Sequence, residues 1–376
     1  MQKLHVLQDA WHDAADKGDV VGGEPALHPF PEGWYFVADR RSIAKQKLIQ
    51  KKWLGQDIVV WCDDEGAICV ARSVCPHLGS SLGPDVGGRV RDGLLVCPFH
   101  GFAYNAAGTC VATPFAEPPK SAKLNVFETR DILGLVFAWW GIDGRPPQWD
   151  LPEEPEAGGK WSDMEIRTHR FPGHPQETTE NSVDLAHLRY VHGYDNVEAV
   201  GTASVDGAHL VSRFNFKRRW RIVGFSDAHY DVSAIAHVHG LGYSFVDIHE
   251  HTIGMDIRLW VLATPVDGTL IELVLVSQAR QLRKPRRAIV GLRFLPVGLR
   301  TRIINKLMMS VQEKDVLQDV VIWRQKSYRL RPRLCRSDGA IGKYRRYCRQ
   351  FYPDAPHADR NSDQTLTDTR QSGVIG

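Results

Sequence analysis

Residues 75–101 read CPHLGSSLGPDVGGRVRDGLLVCPFHG, and two short pieces of this stretch decide how the rest is read. Cys75-Pro76-His77-Leu78-Gly79 and Cys97-Pro98-Phe99-His100-Gly101 each offer one thiolate and one imidazole. Two Cys and two His is the ligand count of a [2Fe–2S] cluster with one Cys₂ iron and one His₂ iron. A single residue between Cys and His puts both side chains on the same side of an extended backbone. The first loop has that spacing and the second has one residue more, and the two can clamp a planar cluster from opposite sides. Gly79 and Gly101 let each loop turn where a side chain would crowd it. A structural zinc site is the competing reading, but such sites more often pair C-x₂-C with H-x₃₋₅-H. Imidazole in place of thiolate reduces the negative charge on a cluster. That raises its potential to between about −150 and +300 mV, against about −400 mV for plant-type all-Cys clusters. Such a cluster stores an electron and performs no substrate chemistry, so another part of the chain must use that electron.

Around this stretch the text is strand-like from Pro31. GWYFVADRRSI (33–43), KKWLGQDIVVWCDDEGAICVARS (51–73) and GLLVCPFHGFAYNAAGTCVATP (93–114) are short β-branched and aromatic runs broken by Gly, Asn and Asp. KSAKLNVFETRDILGLVFAWWGI (120–142) adds two more strands, and GPDVGGRVRDG (83–93) reads as a loop. A Pro-rich stretch, RPPQWDLPEEPEAGG (145–159), reads as an interdomain linker. Beyond it residues 176–192 look helical, and 203–277 hold long strand candidates such as HLVSRFNFKRRWRIVGF and TLIELVLVSQA. Residues 300–330 look like one long helix, with Ile303, Ile304, Leu307, Met308 and Val311 at helical spacing. Strands followed by helices give an α+β class. The expected division is an N-terminal segment 1–32, a small antiparallel β-domain 33–145, a linker 146–158, a second domain 159–352 and a polar, disordered tail 353–376.

The second domain carries QETTENSVDLAHLRYVHG (176–193), in which Asp184, His187 and His192 form D-x₂-H-x₄-H. Two His and one carboxylate on one face of an iron, with open positions opposite, is the ligand set of non-haem Fe(II) oxygenases. His187 and His192 lie five apart, about 140° around an ideal helix. They share a face only if the helix bulges or ends between them, by a π-bulge or by unwinding before Gly193. Two H-x-H pairs, His237/His239 and His249/His251, lack the downstream Glu and Gly spacing of a cupin-like site and read as ordinary strand residues.

The paired loops resemble the Rieske ferredoxin motif, C-x-H … C-x₂-H, over about residues 33–140. The resemblance implies that Cys75 and Cys97 hold the inner iron, and His77 and His100 the outer one. Ser80 and Phe99 stand where the cytochrome-complex branch has extra cysteines, which disfavours that branch. Over about residues 30–352 the chain resembles the oxygenase component of Rieske non-haem iron oxygenases. QDVVIW (318–323) with Lys326, and RRYCRQFYP (345–353), look most like the 3-ketosteroid 9α-hydroxylase and cholesterol 7-desaturase branch. That family joins a Rieske domain to a helix-grip (START-like) catalytic domain. Its third iron ligand lies on a late helix, which makes Asp319 the candidate and Asp315, one turn earlier, the alternative. The motif's Asp, here Asp184, is in that family the relay between the Rieske His of one subunit and the iron of the next in a head-to-tail homotrimer.

The resemblance further implies a [2Fe–2S] cluster, Fe(2+), O₂ as co-substrate, and NAD(P)H acting indirectly through a separate ferredoxin or ferredoxin reductase. It implies hydroxylation or desaturation of a small hydrophobic substrate, a steroid or sterol. Aromatic O-demethylation or ring hydroxylation is the alternative within the family. A Rieske electron carrier with a lipid-binding domain is the alternative outside it.

Composition agrees with a globular chain of two to three domains. Hydrophobic residues make up 43% and charged residues 24% of 376, which excludes a disordered, collagen-like or coiled-coil chain. Seven cysteines, an odd count without an export signal, favour metal binding over a disulfide framework. The longest apolar run, 132–142, is too short to span a bilayer. A cytoplasmic location follows as the expectation. The net charge of +3 hides an asymmetry: residues 280–349 hold 20 Lys/Arg against four acids. The basic, partly apolar segment 283–307 reads as a surface for an acidic ferredoxin, as a peripheral membrane contact, or as a solvated helix edge. No GxGxxG or GxxxxGK[ST] motif occurs, in keeping with a separate reductase, and no nucleic-acid partner is expected.

Overall fold

Short strands break wherever the sequence supplies a turn residue, and they account for the first part of the molecule. A computed structural model describes residues 27–152, 161–220, 228–252, 254–281 and 294–353. Residues 28–326 and 334–353 pack as one unit, and 327–333 carry no helix or strand. Most of the expected N-terminal segment, the linker from 153, residues 283–293 of the basic segment and the tail from 354 lie outside the described residues.

The first ten strands are β1 (Gly33–Asp39), β2 (Leu48–Trp53), β3 (Gln56–Cys62), β4 (Ile68–Arg72), β5 (Arg89–Arg91), β6 (Leu94–Val96), β7 (Ala103–Tyr104), β8 (Cys110–Ala112), β9 (Thr129–Ile132) and β10 (Leu135–Trp140). They form three sheets, ordered β1-β10-β9, β2-β3-β4 and β5-β6-β7-β8. Two expectations are corrected here. The run 33–43 is not all strand: the Asp39 carboxylate accepts the N–H of Ser42 and caps helix α1 (Arg40–Gln46). Residues 83–93 are not all loop: Arg89–Arg91 pairs with Leu94–Val96 across a turn at Asp92 and Gly93.

The second part is one eight-stranded antiparallel sheet. Its strands are β11 (Glu165–Pro172), β12 (Asp195–Ala199), β13 (Ser204–Asp206), β14 (His209–Trp220), β15 (Ala228–His239), β16 (Tyr243–Glu250), β17 (Met255–Pro265) and β18 (Leu270–Ala279). Their order is β11-β18-β17-β16-β15-β14-β12, with β13 also on β14. The two-residue period of these strands gives each face its own work. On the inner face Phe214, Phe216, Val232 and Ala234 form one apolar cluster. Three short helices, α2 (Pro175–Thr179), α3 (Leu185–Tyr190) and α5 (Ile341–Cys348), and one long helix, α4 (Val297–Trp323), complete the unit. Met309, Val320 and Trp323 of α4 pack on Phe171, Leu273 and Leu275 of the sheet. A long helix held against one face of an antiparallel sheet is the helix-grip arrangement expected.

The outer face carries Tyr243, Phe245 and Trp260 into a buried cluster with Trp34, Phe36, Phe137 and Trp139. Side chains of this size contribute about 1.5–3 kcal/mol each when fully buried. The two parts are thereby fastened by apolar area, helped by the ion pair of Lys51 with Glu272 at 2.5 Å. The helix expected over 300–330 ends at Trp323, and Leu307 on its apolar stripe is 46% exposed while Ile304 and Met308 are buried. The helix expected over 176–192 is three pieces, α2, a 3₁₀ turn at Glu180–Ser182, and α3. Among the described residues no helix is long and apolar enough to cross a membrane.

Candidate metal centres and substrate pocket

The two loops that opened the sequence reading have the same backbone. Val74 bridges Ser81 and Val96 pairs with Ala103, so each loop closes over six residues. In the first, Cys75 N–H donates to Ser80 O and Gly79 N–H to Cys75 O, both at 2.9 Å. In the second, Cys97 N–H donates to Phe102 O at 2.8 Å and Gly101 N–H to Cys97 O at 3.1 Å. Each thus turns at a glycine four residues after its cysteine, with φ +78° at Gly79 and +70° at Gly101. At Gly101 a Cβ would also meet Pro114 Cγ at 2.7 Å. The histidines stand at different steps of the same turn and meet at ring centroids 4.8 Å apart.

Their environment suits a cluster with a buried and an exposed end. Cys75 and Cys97 are free thiols, 1% and 2% exposed, whereas His77 is exposed. His77 stacks on Phe102 at 4.2 Å. His100 Nδ1 is buried without a hydrogen-bond partner among the described residues. Burial pushes the Cys75 thiol up, while the Tyr104 hydroxyl, 3.1 Å from its Sγ, and the His77 backbone N–H stabilise its thiolate. Two buried thiols below two imidazoles could hold a [2Fe–2S] cluster, and the orphaned nitrogen of His100 fits that use.

The second site is built by the break after α3. Asp184 caps the helix, its carboxylate accepting the N–H groups of Ala186 and His187. The helix stops at Tyr190, and Gly193 follows with φ +68°. The turn swings His192 back towards His187, with ring centroids 5.2 Å apart. Of the two routes weighed for a five-residue spacing, the unwinding is the one present.

Asp319, 6% exposed, comes from α4, and one ligand atom from each of His187, His192 and Asp319 lies within 4.8 Å of the other two. His192 Nε2 is 3.4 Å from Asp319 Oδ2. The Nδ1 atoms point away: that of His187 meets the backbone carbonyl of Asp184, and that of His192 meets Gln318 Oε1 at 3.0 Å. Engaging Nδ1 in this way orients a ring and leaves Nε2 for a metal. Burial lowers the pKa of His187, which keeps the imidazole neutral as a ligand must be. Two imidazoles and a carboxylate in this arrangement could hold a ferrous ion on one face.

Asp315 has other work. Its Oδ2 accepts from Tyr194 Oη and pairs with Arg218, each at 2.7 Å. Burial pushes the Tyr194 hydroxyl up, so it remains a donor. Asp184 places Oδ2 4.0 Å from His187 Nδ1, in an open groove that also includes Tyr190, 94% exposed. Three features escaped the sequence reading: Gln318, Tyr104 and a buried ion cluster. In the last, Lys326 meets Glu177 at 2.6 Å and Glu180 at 3.0 Å, and Arg345 meets Glu180 at 2.7 Å. This cluster ties the segment bearing the two histidines to the end of the helix bearing Asp319. Two glutamates three apart, just before the D-x₂-H-x₄-H run, were the available signal. His237 and His239 are strand residues that stack with His209 and Phe245 on the outer face, and His249 pairs with Asp256 at 2.6 Å.

Beside His192 a cavity of about 180 Å³ runs between the inner face of the sheet and α4. Phe214, Val232, Ile257 and Met308 give it apolar walls. Its volume is smaller than the ~300–1,000 Å³ of common ligand pockets, and the methionines Met255 and Met308 are walls that can move.

Comparison with known proteins agrees with both halves. Residues 33–128 match the Rieske [2Fe-2S] domain, and residues 138–352, more than half the chain, match the 3-ketosteroid 9alpha-hydroxylase C-terminal domain. Cholesterol 7-desaturase of Caenorhabditis elegans is 29% identical over 365 residues, covering 93% of this chain and 81% of the relative. The oxygenase component of 3-ketosteroid-9-alpha-monooxygenase of Rhodococcus rhodochrous is 28% identical over 350 residues, covering 88% and 86%. The fold superposes on crystalline dicamba monooxygenase bound to dicamba with a TM-score of 0.64 at 17% identity, covering 85% of this chain and 96% of that one. A Rieske domain of known pattern, three side chains that could hold a metal at the grip of sheet and helix, and these matches place the chain in the family of Rieske oxygenases whose second domain is of the 3-ketosteroid 9alpha-hydroxylase C-terminal type.

Proposed function

We propose that this oxygenase hydroxylates or desaturates a steroid or sterol. The single observation that carries the reading is His192, which belongs both to the ligand triad and to the wall of the apolar cavity. A substrate in that cavity lies directly beside the metal position. The two relatives named above act on steroids, which supports the substrate class.

When bound, the cluster supplies single electrons and the ferrous ion supplies dioxygen chemistry at an unactivated C–H bond. Cys75 and Cys97 would hold the inner iron of the cluster, and His77 and His100 the outer one. His187, His192 and Asp319 would hold the mononuclear iron, with the imidazoles oriented by the Asp184 carbonyl and Gln318. The sheet's apolar inner face seats the substrate and keeps bulk water from the reacting carbon. The electrons come from NAD(P)H through a separate ferredoxin and reductase. Asp184 is the relay: its carboxylate stands in a groove where the exposed imidazole of a neighbouring copy would dock in a head-to-tail homotrimer. We place the domain division at residues 146–158, the enzyme in the cytoplasm, and the basic region 280–349 at the ferredoxin contact, with a peripheral membrane contact as the alternative.

Iron counting is the test of the enzyme against a lipid-binding electron carrier. The oxygenase holds three irons per chain, and His187→Ala loses one of them; an unchanged count in that variant refutes the assignment. One observation favours a second reading. A cavity of about 180 Å³ suits a single aromatic ring without rearrangement. A panel of steroids and methoxylated aromatics, with a surrogate reductase and oxygen uptake, separates the two, and release of formaldehyde identifies the aromatic demethylase.

A further inference from the structure

The two elements that bring the metal ligands together are held very differently. α3 carries His187 yet buries none of its own side chains fully, and its Leu185 and Leu188 are packed only in part. The end of α4, which carries Asp319, is fixed on the sheet by Val320 and Trp323. A ligand on a lightly held helix needs something besides apolar packing to set its distance from a ligand on a firmly held one.

The stretch just before α3 supplies it. All five residues of α2 are buried, and so is Glu180 after them. The Glu180 carbonyl accepts the N–H of Val183 at 3.0 Å and that of Asp184, the cap of α3, at 3.2 Å. Its carboxylate meets Lys326 at 3.0 Å and Arg345 at 2.7 Å. Lys326 stands three residues beyond Trp323, the last residue of α4, and its ammonium also meets Glu177 at 2.6 Å. Among the described residues Lys326 is the one cation that meets Glu177. Drawing the histidine segment away from α4 would leave buried carboxylates unpaired, so the cluster resists that displacement.

We propose that Lys326 is a positioning residue of the iron site: it fixes the histidine segment against the end of α4 and thereby sets how tightly ferrous ion is held. This rests on the metal-site reading above and adds to it a group that touches none of the three ligands. Lys326 acts on them through the Glu180 backbone on one side and through its own chain connection to Asp319 on the other.

The test follows the anaerobic loss of mononuclear iron from the holoenzyme to a ferrous chelator, with the cluster's visible spectrum as the internal control. Lys326→Met should hold iron about 10–100-fold more weakly than the wild type, the range for groups that orient metal ligands. That variant also strands the Glu177 charge. The double variant Glu177→Gln with Lys326→Met removes the stranded charge and should still hold iron weakly, because the link remains broken. Lys51→Met makes the same lesion at the buried Glu272, whose partners include none of the three ligands, and should hold iron as the wild type does. Wild-type iron retention in either Lys326 variant, or equal weakening in Lys51→Met, overturns the positioning role and leaves the metal site standing. A wild type that takes up no mononuclear iron overturns both.

Discussion

Asp315 and Asp319 differ by one helical turn and by everything they touch. The sequence reading could place the third ligand on this helix by resemblance but could only rank the two acids. What separates them is tertiary: Asp319 faces His192, and Asp315 is consumed by Tyr194 and Arg218. Asp319→Ala should therefore abolish mononuclear iron and leave the cluster's visible spectrum intact. Asp315→Ala should retain iron and lose stability by about 3–5 kcal/mol, because the Arg218 charge is stranded in an apolar wall. Metal analysis and thermal melts on both variants check the pair, and iron loss from Asp315→Ala alone would reverse the assignment. The paired Cys and His loops were legible because two thiols and two imidazoles at this spacing are a rare pattern in a sequence. Tyr104 was not, since a tyrosine in a strand is ordinary and only its 3.1 Å contact with Cys75 gives it a role. Hydrogen bonds to cluster sulfur stabilise the reduced form. Tyr104→Phe should lower the midpoint potential by roughly tens of millivolts in a redox titration, with metal content unchanged.

At the scale of elements, periodicity found the strands and the long helix but misjudged their ends. The strand before α1 stops because Asp39 caps a helix that begins with two arginines, a local competition that apolar alternation does not report. The five-residue histidine spacing was informative for the opposite reason: it conflicts with a helix, and the chain resolves the conflict by ending α3 at Tyr190. Element geometry also carries a pH dependence. On the outer face of β14 and β15, His209, His237 and His239 stack together, and burial lowers the last two to about 4 and about 3 from 6.5. For His237, His209, Arg213 and Arg258 push further down and Asp247 pushes up. Histidines with depressed folded values take up protons more readily once the chain opens. Stability is then complete above pH 6.5 and falls as the pH drops through the window towards 4 and 3. His239, 7% exposed, accounts for about 2 kcal/mol of that loss at pH 5. Thermal melts between pH 7.5 and 5 should show a fall that is shallower in His239→Asn; an identical slope would remove this pair of strands as the cause.

For the whole molecule the question is which cluster serves which iron. The domain order and the two-centre layout were legible, since each motif names its own domain. The packing of the two parts was not, because it depends on aromatic side chains from four strands meeting across a sheet face. Asp184 is where this scale meets the smallest one. Its carboxylate caps α3, so Asp184→Ala would confound relay with capping, whereas Asn caps as well as Asp and lacks the charge. Asp184→Asn should keep the full complement of three irons per chain and lose turnover by about 10–100-fold, as changes behind a metal ligand do. A variant that sheds the cluster would show that Asp184 is structural. Co-assembly then decides the wiring. His100→Ala chains lack a working cluster, and His187→Ala chains lack a working iron. In a head-to-tail ring, some mixed trimers place an intact cluster beside an intact iron across a subunit boundary, so co-expression should restore part of the turnover that each variant lacks alone. If each cluster serves the iron of its own chain, no mixture recovers any, and the groove beside Asp184 has to be explained without a neighbouring copy.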